Sequence, residues 1–507
     1  MAGTENEKKQ ADSRTSTDSS PTAQTASAEP MRNSMSRRSF IGTGAVALAA
    51  AAGLAVPSVL SSCSASNSGG AAAATENKKF DLLIKGGNVY EVGEGIDLGI
   101  KDGMVVEQGA LSEGDAAEVI DVSGKLVSPS FVDSHTHLDK AFQMEYEEYR
   151  KKAKELAAEF MASDEVDYGY PVCGGSEQYL MELIKEGKSE DEVKDVIKQR
   201  ISRALDMAIA NGTCAVKTNN TWGSLSVEVV NELKEEYAGK IDLYNIVPFT
   251  TDTEAEDRYS MTFDQLESYA ADGSIDYIGG YFDGDYGYDD IDAMFEFADK
   301  HGLPLDLHVL ETDVPLLKPF DYILDKSLAY GLGDKLTCGH LTALDAPGID
   351  GAALEAIIRK SADAEVNVTA LTSCNMYLMG RKAAHPVRRG MTRLDLFLAA
   401  NVNACFASDN IRDAWRPYGN ADMLQEGYIS AHCLQYAFPE ELEVVYRMAT
   451  FNAAKNALRE NYGAGTGCRA DLVVLDSASP DQALVDQAKR LYVIKDGKIV
   501  AKDGALA

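Results

Sequence analysis

The chain has 507 residues, of which 45% are hydrophobic, so it is long enough to bury a large core and a smaller second unit. It carries 80 acidic residues against 48 basic ones, for a formal net charge of −32. This balance argues against nucleic-acid binding, which needs clustered lysine and arginine to neutralise phosphates, and is typical of a well-solvated surface.

The N-terminal part of the chain is predicted to lie outside the fold. Residues 1–35 are polar and almost free of large apolar side chains, which predicts a disordered extension. Residues 36–63 begin Ser36-Arg-Arg-Ser-Phe, continue through a mild apolar run and end Leu60-Ser-Ser-Cys63, and residues 64–78 form a linker.

The 36–63 segment resembles a twin-arginine export signal that ends in a lipoprotein cleavage box. We therefore expect export by the twin-arginine route, with the protein held on the outer face of the cell membrane by a lipid on Cys63. The alternative is a periplasmic or secreted protein.

Both ends of the remaining chain are β-rich. Short runs of β-favouring residues broken by Gly and Asp begin at Phe80, and the same pattern returns between Ala470 and Val500. The two ends, residues 79–130 and 463–507, are predicted to pair as one small composite β-sandwich.

Residues 131–462 alternate between strand and helix patterns. Strands separated by helices pair in parallel, and a count of eight predicts a closed (β/α)8 barrel, the TIM barrel. A long insertion from Lys140 to about Gly187 follows the first strand. The eight predicted strands are Phe131–His137, Thr213–Asn219, Ile241–Phe249, Asp276–Phe282, Pro304–Leu310, Lys335–His340, Glu365–Leu371 and Val402–Ser408.

Four of the seven histidines fall at the carboxyl ends of predicted strands, where catalytic groups of such barrels project. His135 and His137 are two residues apart and point to one face of the first strand. His308 lies at the end of the fifth strand, His340 ends the sixth, and Asp409 follows the eighth. Each alone has a structural reading, such as a helix N-cap for Asp409. Together, three imidazoles and one carboxylate predict a divalent metal site with an open position for water.

Several motifs are typical of one known family. They are His135-Thr-His-Leu-Asp, His308-Val-Leu-Glu311, Gly339-His340, Arg388-Arg-Gly-Met-Thr-Arg393 and the long run from Ser408 to Leu424. Over roughly residues 80–507 the chain resembles the metal-dependent amidohydrolase superfamily, and within it the cytosine deaminase-like group.

The resemblance implies a metal-activated water and residues that move its protons. One zinc or iron ion would be bound by His135, His137, His308 and Asp409. The ion would lower the pKa of its water to roughly 7. Glu311 would be the proton shuttle, His340 would hydrogen-bond the attacking water, and Asp409 could accept the proton of that water while it binds the metal.

The number of metal ions depends on a lysine. Many relatives bridge two ions with a carboxylated lysine on the fourth strand, but Asp276–Phe282 contains none. Lys217, on the second strand, is more easily interpreted as structural or substrate-facing. The sequence therefore favours one divalent ion.

The residues that would read the substrate differ from those of true cytosine deaminases. Those enzymes have a glutamine after the third strand, where this chain has Pro248-Phe-Thr250, and Asn410 stands here for an acidic residue. Because an unmet buried hydrogen bond costs about 1–3 kcal/mol, cytosine itself is in doubt. With asparagine at position 410, the chain resembles relatives that remove alkylamines from triazine rings. Thr250, Asn410 and Trp415, which could stack on a planar ring, are the candidate substrate-binding residues.

The first functional hypothesis is a metal-dependent hydrolase of C–N bonds, not peptide bonds, in cyclic amidines or amides. It would deaminate a nitrogen heterocycle such as a cytosine-like base or an N-alkyl triazine-like ring. The alternatives are a cyclic amidase or peptidase, and a non-catalytic lipid-anchored protein that binds nucleobases. The expected partner is a small heterocyclic substrate, and a homo-oligomer remains open.

Overall fold

The computed structural model describes residues 78–163, 170–255 and 260–507. The predicted N-terminal extension, the export signal with Cys63 and nearly all of the linker lie outside these residues. Within the described ranges, no helix is both long enough and apolar enough to span a membrane.

The described strands belong to two sheets, of nine and eight strands. The first flank contributes β1 (Phe80–Val89), β2 (Gly93–Lys101), β3 (Met104–Gly109), β4 (Ala116–Asp121) and β5 (Leu126–Pro129). The barrel strands are β6 (Phe131–Thr136), β7 (Thr213–Asn219), β8 (Asp242–Pro248), β9 (Tyr277–Phe282), β10 (Leu305–Val309), β11 (Leu336–His340), β12 (Asn367–Ala370) and β13 (Asn403–Phe406). The second flank adds β14 (Leu472–Leu475), β15 (Arg490–Lys495), β16 (Lys498–Lys502) and β17 (Ala505–Leu506).

The helices lie mainly between the barrel strands. They are α1 (Glu147–Ala162), α2 (Tyr170–Lys185), α3 (Glu190–Ala210), α4 (Gly223–Glu236), α5 (Phe263–Asp272), α6 (Tyr288–His301), α7 (Lys318–Tyr330), α8 (Gly351–Asp363), α9 (Thr372–Leu378), α10 (Leu394–Ala399), α11 (Met423–Leu434), α12 (Pro439–Met448), α13 (Phe451–Asn456) and α14 (Pro480–Val485).

The barrel strands β6 to β13 follow one another in chain order, and every neighbouring pair is parallel. Each observed strand begins and ends within two residues of its prediction. The barrel closes where the first and last strands end. There the Asp409 amide donates to the His135 carbonyl at 2.9 Å, and the His137 amide donates to the Asp409 carbonyl at 3.3 Å. The predicted (β/α)8 barrel is confirmed.

The two flanks of the chain share the nine-stranded sheet. Its order is β17-β16-β15-β14-β5-β1-β2-β3, and β4 pairs with β1. The flanks join where β14 runs antiparallel to β5, with Leu472 opposite Pro129. The predicted β unit made by both ends is therefore present as one hydrogen-bonded sheet, with its own buried apolar cluster that includes Leu82, Ile84 and Val474.

The insertion after β6 folds largely as α1 and α2, which pack against each other. It leads into α3, which starts with a capping box: the Ser189 hydroxyl accepts from the Glu192 amide, and the Glu192 carboxylate accepts from the Ser189 amide at 2.8 Å. Such reciprocal bonds satisfy two amides that the helix itself leaves unpaired. The insertion brings Glu177 of α2 to the cleft at the barrel mouth.

Candidate metal centre and substrate cleft

Three histidine rings meet at the carboxyl end of the barrel. The Nε2 atom of His308 lies 3.2 Å from Nε2 of His135 and 3.1 Å from Nε2 of His137. All three side chains are buried. A neutral imidazole carries a proton on only one nitrogen, so three nitrogens this close direct lone pairs at a common point. That arrangement suits a cation.

Asp409 supplies an oxygen to the same point. Its Oδ1 atom lies 3.4 Å from His137 Nε2 and 3.9 Å from His135 Nε2. Burial raises the pKa of Asp409, and within the described residues neither carboxylate oxygen has a hydrogen-bond partner. A buried carboxylate without partners is costly unless it binds a cation. Three nitrogens and one oxygen therefore fit a divalent metal ion.

The backbone turns sharply at two of the site residues. The φ angle is +68° at His340 and +59° at Asp409. A non-glycine residue in this left-handed region costs about 1–3 kcal/mol, and such strain is concentrated at functional sites. At each of these residues the chain leaves the strand and changes direction at the barrel mouth.

Asp306, on β10, contacts the Nδ1 atom of His135. Its Oδ1 atom lies 3.3 Å from His135 Nδ1, so a proton on Nδ1 leaves the lone pair of Nε2 free for the metal. Burial alone would raise the pKa of Asp306, but Lys217 and His135 outweigh it and lower the pKa below its usual value. Lys217 is fully buried, is ion-paired with Asp306, and donates to Asn456 Oδ1 at 2.9 Å. Lys217 is thus part of the structural support.

Glu311, His340 and Asn375 form a triangle of polar groups beside the metal ligands. The Nδ1 atom of His340 lies 3.2 Å from Glu311 Oε1 and 3.0 Å from Asn375 Nδ2. The Asn375 amide also donates to Glu311 Oε1 at 3.3 Å. A proton can therefore reside on His340 Nδ1 or on the Glu311 carboxylate. His340 Nε2 is buried and has no hydrogen-bond partner within the described residues, and His340, Asp409 and His135 together also meet the geometry of a metal site.

A cleft of about 260 Å³ opens onto these groups. The ring of Tyr281 packs on His308, with centroids 4.4 Å apart, and Lys140 Nζ lies 3.9 Å from the centroid of the Trp415 ring. Burial raises the pKa of Glu177 to about 7, although Lys140 opposes the rise. Apart from Glu311 and Asp409, the walls thus combine aromatic faces with the Lys140 ammonium and the Glu177 carboxyl group.

The three candidate substrate-binding residues have different positions. Trp415 and Asn410 line the cleft. The Asn410 amide donates to Asp413 Oδ2 at 2.6 Å, so part of its bonding capacity is already used. Thr250 is not among the cleft-lining residues, although Pro248 from the same run is; the Thr250 hydroxyl accepts from the Asp252 amide at 3.1 Å. Their roles toward a substrate stay predictions.

Four residues of the site were missed in the sequence. Asp306 precedes His308 by two and shares its face of the strand, and Lys140 directly follows the first histidine motif; these spacings were usable signals. Asn375 and Glu177 lie on α9 and α2 and belong to no motif.

Comparisons with known proteins agree with this geometry. The model of the amidohydrolase family matches residues 257–501. The chain is 29% identical over 442 residues to N-isopropylammelide isopropyl amidohydrolase of Pseudomonas sp. (strain ADP), which covers 84% of this chain and 98% of that protein. It is 27% identical over 415 residues to pterin deaminase of Rhizobium rhizogenes, covering 80% and 87% respectively.

Solved structures share the fold. A 5-methylcytosine deaminase from Klebsiella pneumoniae liganded with phosphonocytosine has a TM-score of 0.68 at 22% identity, covering 83% of this chain and 98% of that one. N-isopropylammelide isopropylaminohydrolase from Burkholderia multivorans has a TM-score of 0.64 at 23% identity, covering 84% and 99%. In sequence the chain is therefore similar to an amidohydrolase family model and to two curated enzymes, an amidohydrolase and a deaminase, and the solved structures share its fold.

Proposed function

We propose that the protein is a metal-dependent hydrolase that removes an exocyclic amino or alkylamino group from a nitrogen heterocycle. The observation that carries the proposal is the triangle of Glu311, His340 and Asn375, which lies beside the cluster of metal ligands and opens on the same cleft. Deamination needs a water made nucleophilic and a carboxyl group that moves two protons. Residues suited to both tasks line one small cleft.

The residues divide the chemistry between them. His135, His137, His308 and Asp409 would hold one divalent ion, which when bound supplies the Lewis acidity that makes water nucleophilic near neutral pH. His340 orients the attacking water through Nε2. Glu311 takes a proton from the water to a ring nitrogen and then delivers one to the departing amine, so that water and substrate give the oxo ring and ammonia or a free amine.

The size and lining of the cleft indicate the class of ring. A dry cavity of about 150 Å³ can hold benzene, so a cleft of about 260 Å³ accommodates a substituted six-membered ring or a fused bicycle. Tyr281 and Trp415 offer aromatic faces, while Lys140 and Glu177 offer a donor and an acceptor. N-isopropylammelide and pterin, which appear in the names of two relatives, belong to this class of compound.

A turnover screen tests the proposal. The metal-loaded chain is incubated with cytosine, pterin and N-isopropylammelide, and ammonia or amine release is measured beside Glu311→Gln, a variant that keeps all four metal ligands. Release by the wild type, lowered about 10²–10⁴-fold in the variant, is expected. Ring opening without ammonia or amine would instead indicate a cyclic amidase. Binding without turnover, equal in both proteins, would indicate a capture protein.

We also propose a single zinc or iron ion. Lys217 is engaged by Asp306, and β9 contains no lysine to bridge a second ion. Elemental analysis that finds two ions per chain would contradict this.

Export and lipidation remain part of the proposal. The motif that ends at Cys63 supports a twin-arginine lipoprotein on the outer face of the cell membrane. Mass spectrometry of the mature protein is expected to find a lipid-modified Cys63 as the first residue, and a different first residue would contradict the anchor.

A further inference from the structure

The guanidinium group of Arg200, on α3, is buried without a hydrogen-bond partner. The side chain is 5% exposed, and within the described residues none of its Nε, Nη1 and Nη2 atoms has a partner. The guanidinium lies against the face of Tyr146, whose ring centroid is 5.1 Å from the guanidinium carbon. A buried cation that has lost its hydration needs a replacement for it, and an aromatic face supplies only part of one.

Arg200 lines a cavity of about 300 Å³ between α3 and the segment Phe142–Tyr146. Arg203 and Glu145 line it as well and satisfy each other, with Nη1–Oε2 and Nη2–Oε1 distances of 2.7 and 2.9 Å. The charge of Glu145 is therefore already used by a bidentate pair. The two arginines and one glutamate leave the cavity with one positive charge that lacks a counter-ion, in a chain whose net charge is −32.

This cavity is distinct from the catalytic cleft, since the two share no lining residue. It lies against the segment that continues from Lys140 of that cleft. The segment is fixed on its other side by the loop after β13, because the Phe142 amide donates to the Ile411 carbonyl at 2.9 Å and the Met144 amide donates to the Arg412 carbonyl at 2.8 Å. The walls of the cavity are thus held in place on both sides.

We propose that this cavity is a binding site for a small carboxylate anion, which pairs with the guanidinium of Arg200. The planar fork of an arginine matches the two oxygens of a carboxylate. Phe142 and Tyr146 offer apolar surface for a short carbon chain. Tyr146 is 37% exposed and stacks on the guanidinium, so rotation of this surface ring gives the anion access to the N–H groups.

Thermal unfolding of the metal-loaded full-length chain tests the site. Sodium acetate replaces sodium chloride at constant ionic strength, and acetamide serves as the uncharged molecule of the same shape. Acetate is expected to raise Tm saturably, as a ligand of the folded state does, whereas acetamide does not. Absence of an acetate-specific rise would overturn the proposal.

Two variants locate the effect, and a third controls for it. Arg200→Met removes the guanidinium, and Val196→Phe fills the cavity while Arg200 is kept, so the test survives if one variant fails to fold. In both, the acetate concentration for half of the Tm rise should increase at least about tenfold. Lys198→Gln, on the same helix as Arg200, loses only pairs with Glu232 and Glu236 of α4 and should respond as the wild type does. An equal acetate response in all four proteins would place acetate elsewhere, for instance at the metal, and would overturn the proposal.

Discussion

Replacement of Lys217 by methionine should destabilise the fold and weaken the metal site together. Lys217 and Asp306 are both fully buried and ion-paired, and Asp306 in turn lies 3.3 Å from His135 Nδ1. Removal of one partner from a buried ion pair costs about 3–5 kcal/mol, because the other charge is left without compensation. Loss of the group that orients a metal-binding histidine typically costs about 10–100-fold in metal affinity.

The pH dependence of this effect has a definite sign. In the wild type the pKa of Asp306 is lowered: burial would raise it, but Lys217 and His135 outweigh burial. The stabilising contribution is therefore present above the unfolded value of about 3.9 and is lost as the pH falls below it. In Lys217→Met the effect of burial prevails, so the pKa of Asp306 in the folded protein rises above its unfolded value. Stability is then lost as the pH rises from the unfolded pKa to the raised folded pKa. The variant should be more strongly destabilised at pH 7 than at pH 4.

Denaturant unfolding at both pH values, with a chelator competition for metal affinity, measures the two effects. The matched control is Lys234→Met, which breaks a partly exposed pair with Asp276 and should cost at most about 1 kcal/mol. The double variant Lys217→Met/Asp306→Asn removes both charges and should recover part of the lost stability. If Lys217→Met were no less stable than Lys234→Met at pH 7, the buried pair of Lys217 and Asp306 would not stabilise the fold as proposed.

Four further outcomes are expected. Asn375→Leu should lower kcat about 10–100-fold with little change in KM, since it removes the donor that holds His340 and its neighbouring carboxylate; unchanged kcat would contradict this. Trp415→Leu should raise KM more than it lowers kcat, and an unchanged KM would show that the indole does not contact the ring. His308→Ala should abolish metal binding by elemental analysis, and stoichiometric metal in the variant would refute the ligand set. Burial raises the pKa of Glu177 from 4.5 to about 7, so wild-type stability should fall by at most about 3 kcal/mol between these pH values relative to Glu177→Gln, and a pH-independent difference would contradict it.

The barrel could be predicted because its strands are short apolar runs separated by amphipathic helices. This alternation of strand and helix patterns recurs along any parallel (β/α)8 barrel, so even the short strand β12, Asn367–Ala370, could be predicted from it. The convergence of the candidate metal ligands could be predicted for a related reason. Strand order fixes where each carboxyl end lies, and the chemistry of His and Asp at those ends is specific.

The rest of the site depends on tertiary placement that no local pattern encodes. Glu177 reaches the cleft only because the insertion folds back over the barrel mouth. Asn375 reaches His340 and Glu311 from a short helix on a different strand–helix unit. The position of Thr250 was equally unpredictable, since a turn after β8 directs its hydroxyl to the Asp252 amide.

Barrel closure at the candidate metal ligands has a consequence for how the protein folds. The first and last strands meet through His135 and Asp409, and beside them Ser408 donates to Asp133 across a separation of 275 residues. Contacts so distant in sequence form slowly, because the loop-closure entropy must be lost before they can form. The candidate metal site is therefore complete only after the first and last strands of the barrel have joined. Metal uptake would therefore indicate that the barrel has closed, and a bound ion would link the first strand to the end of the last one.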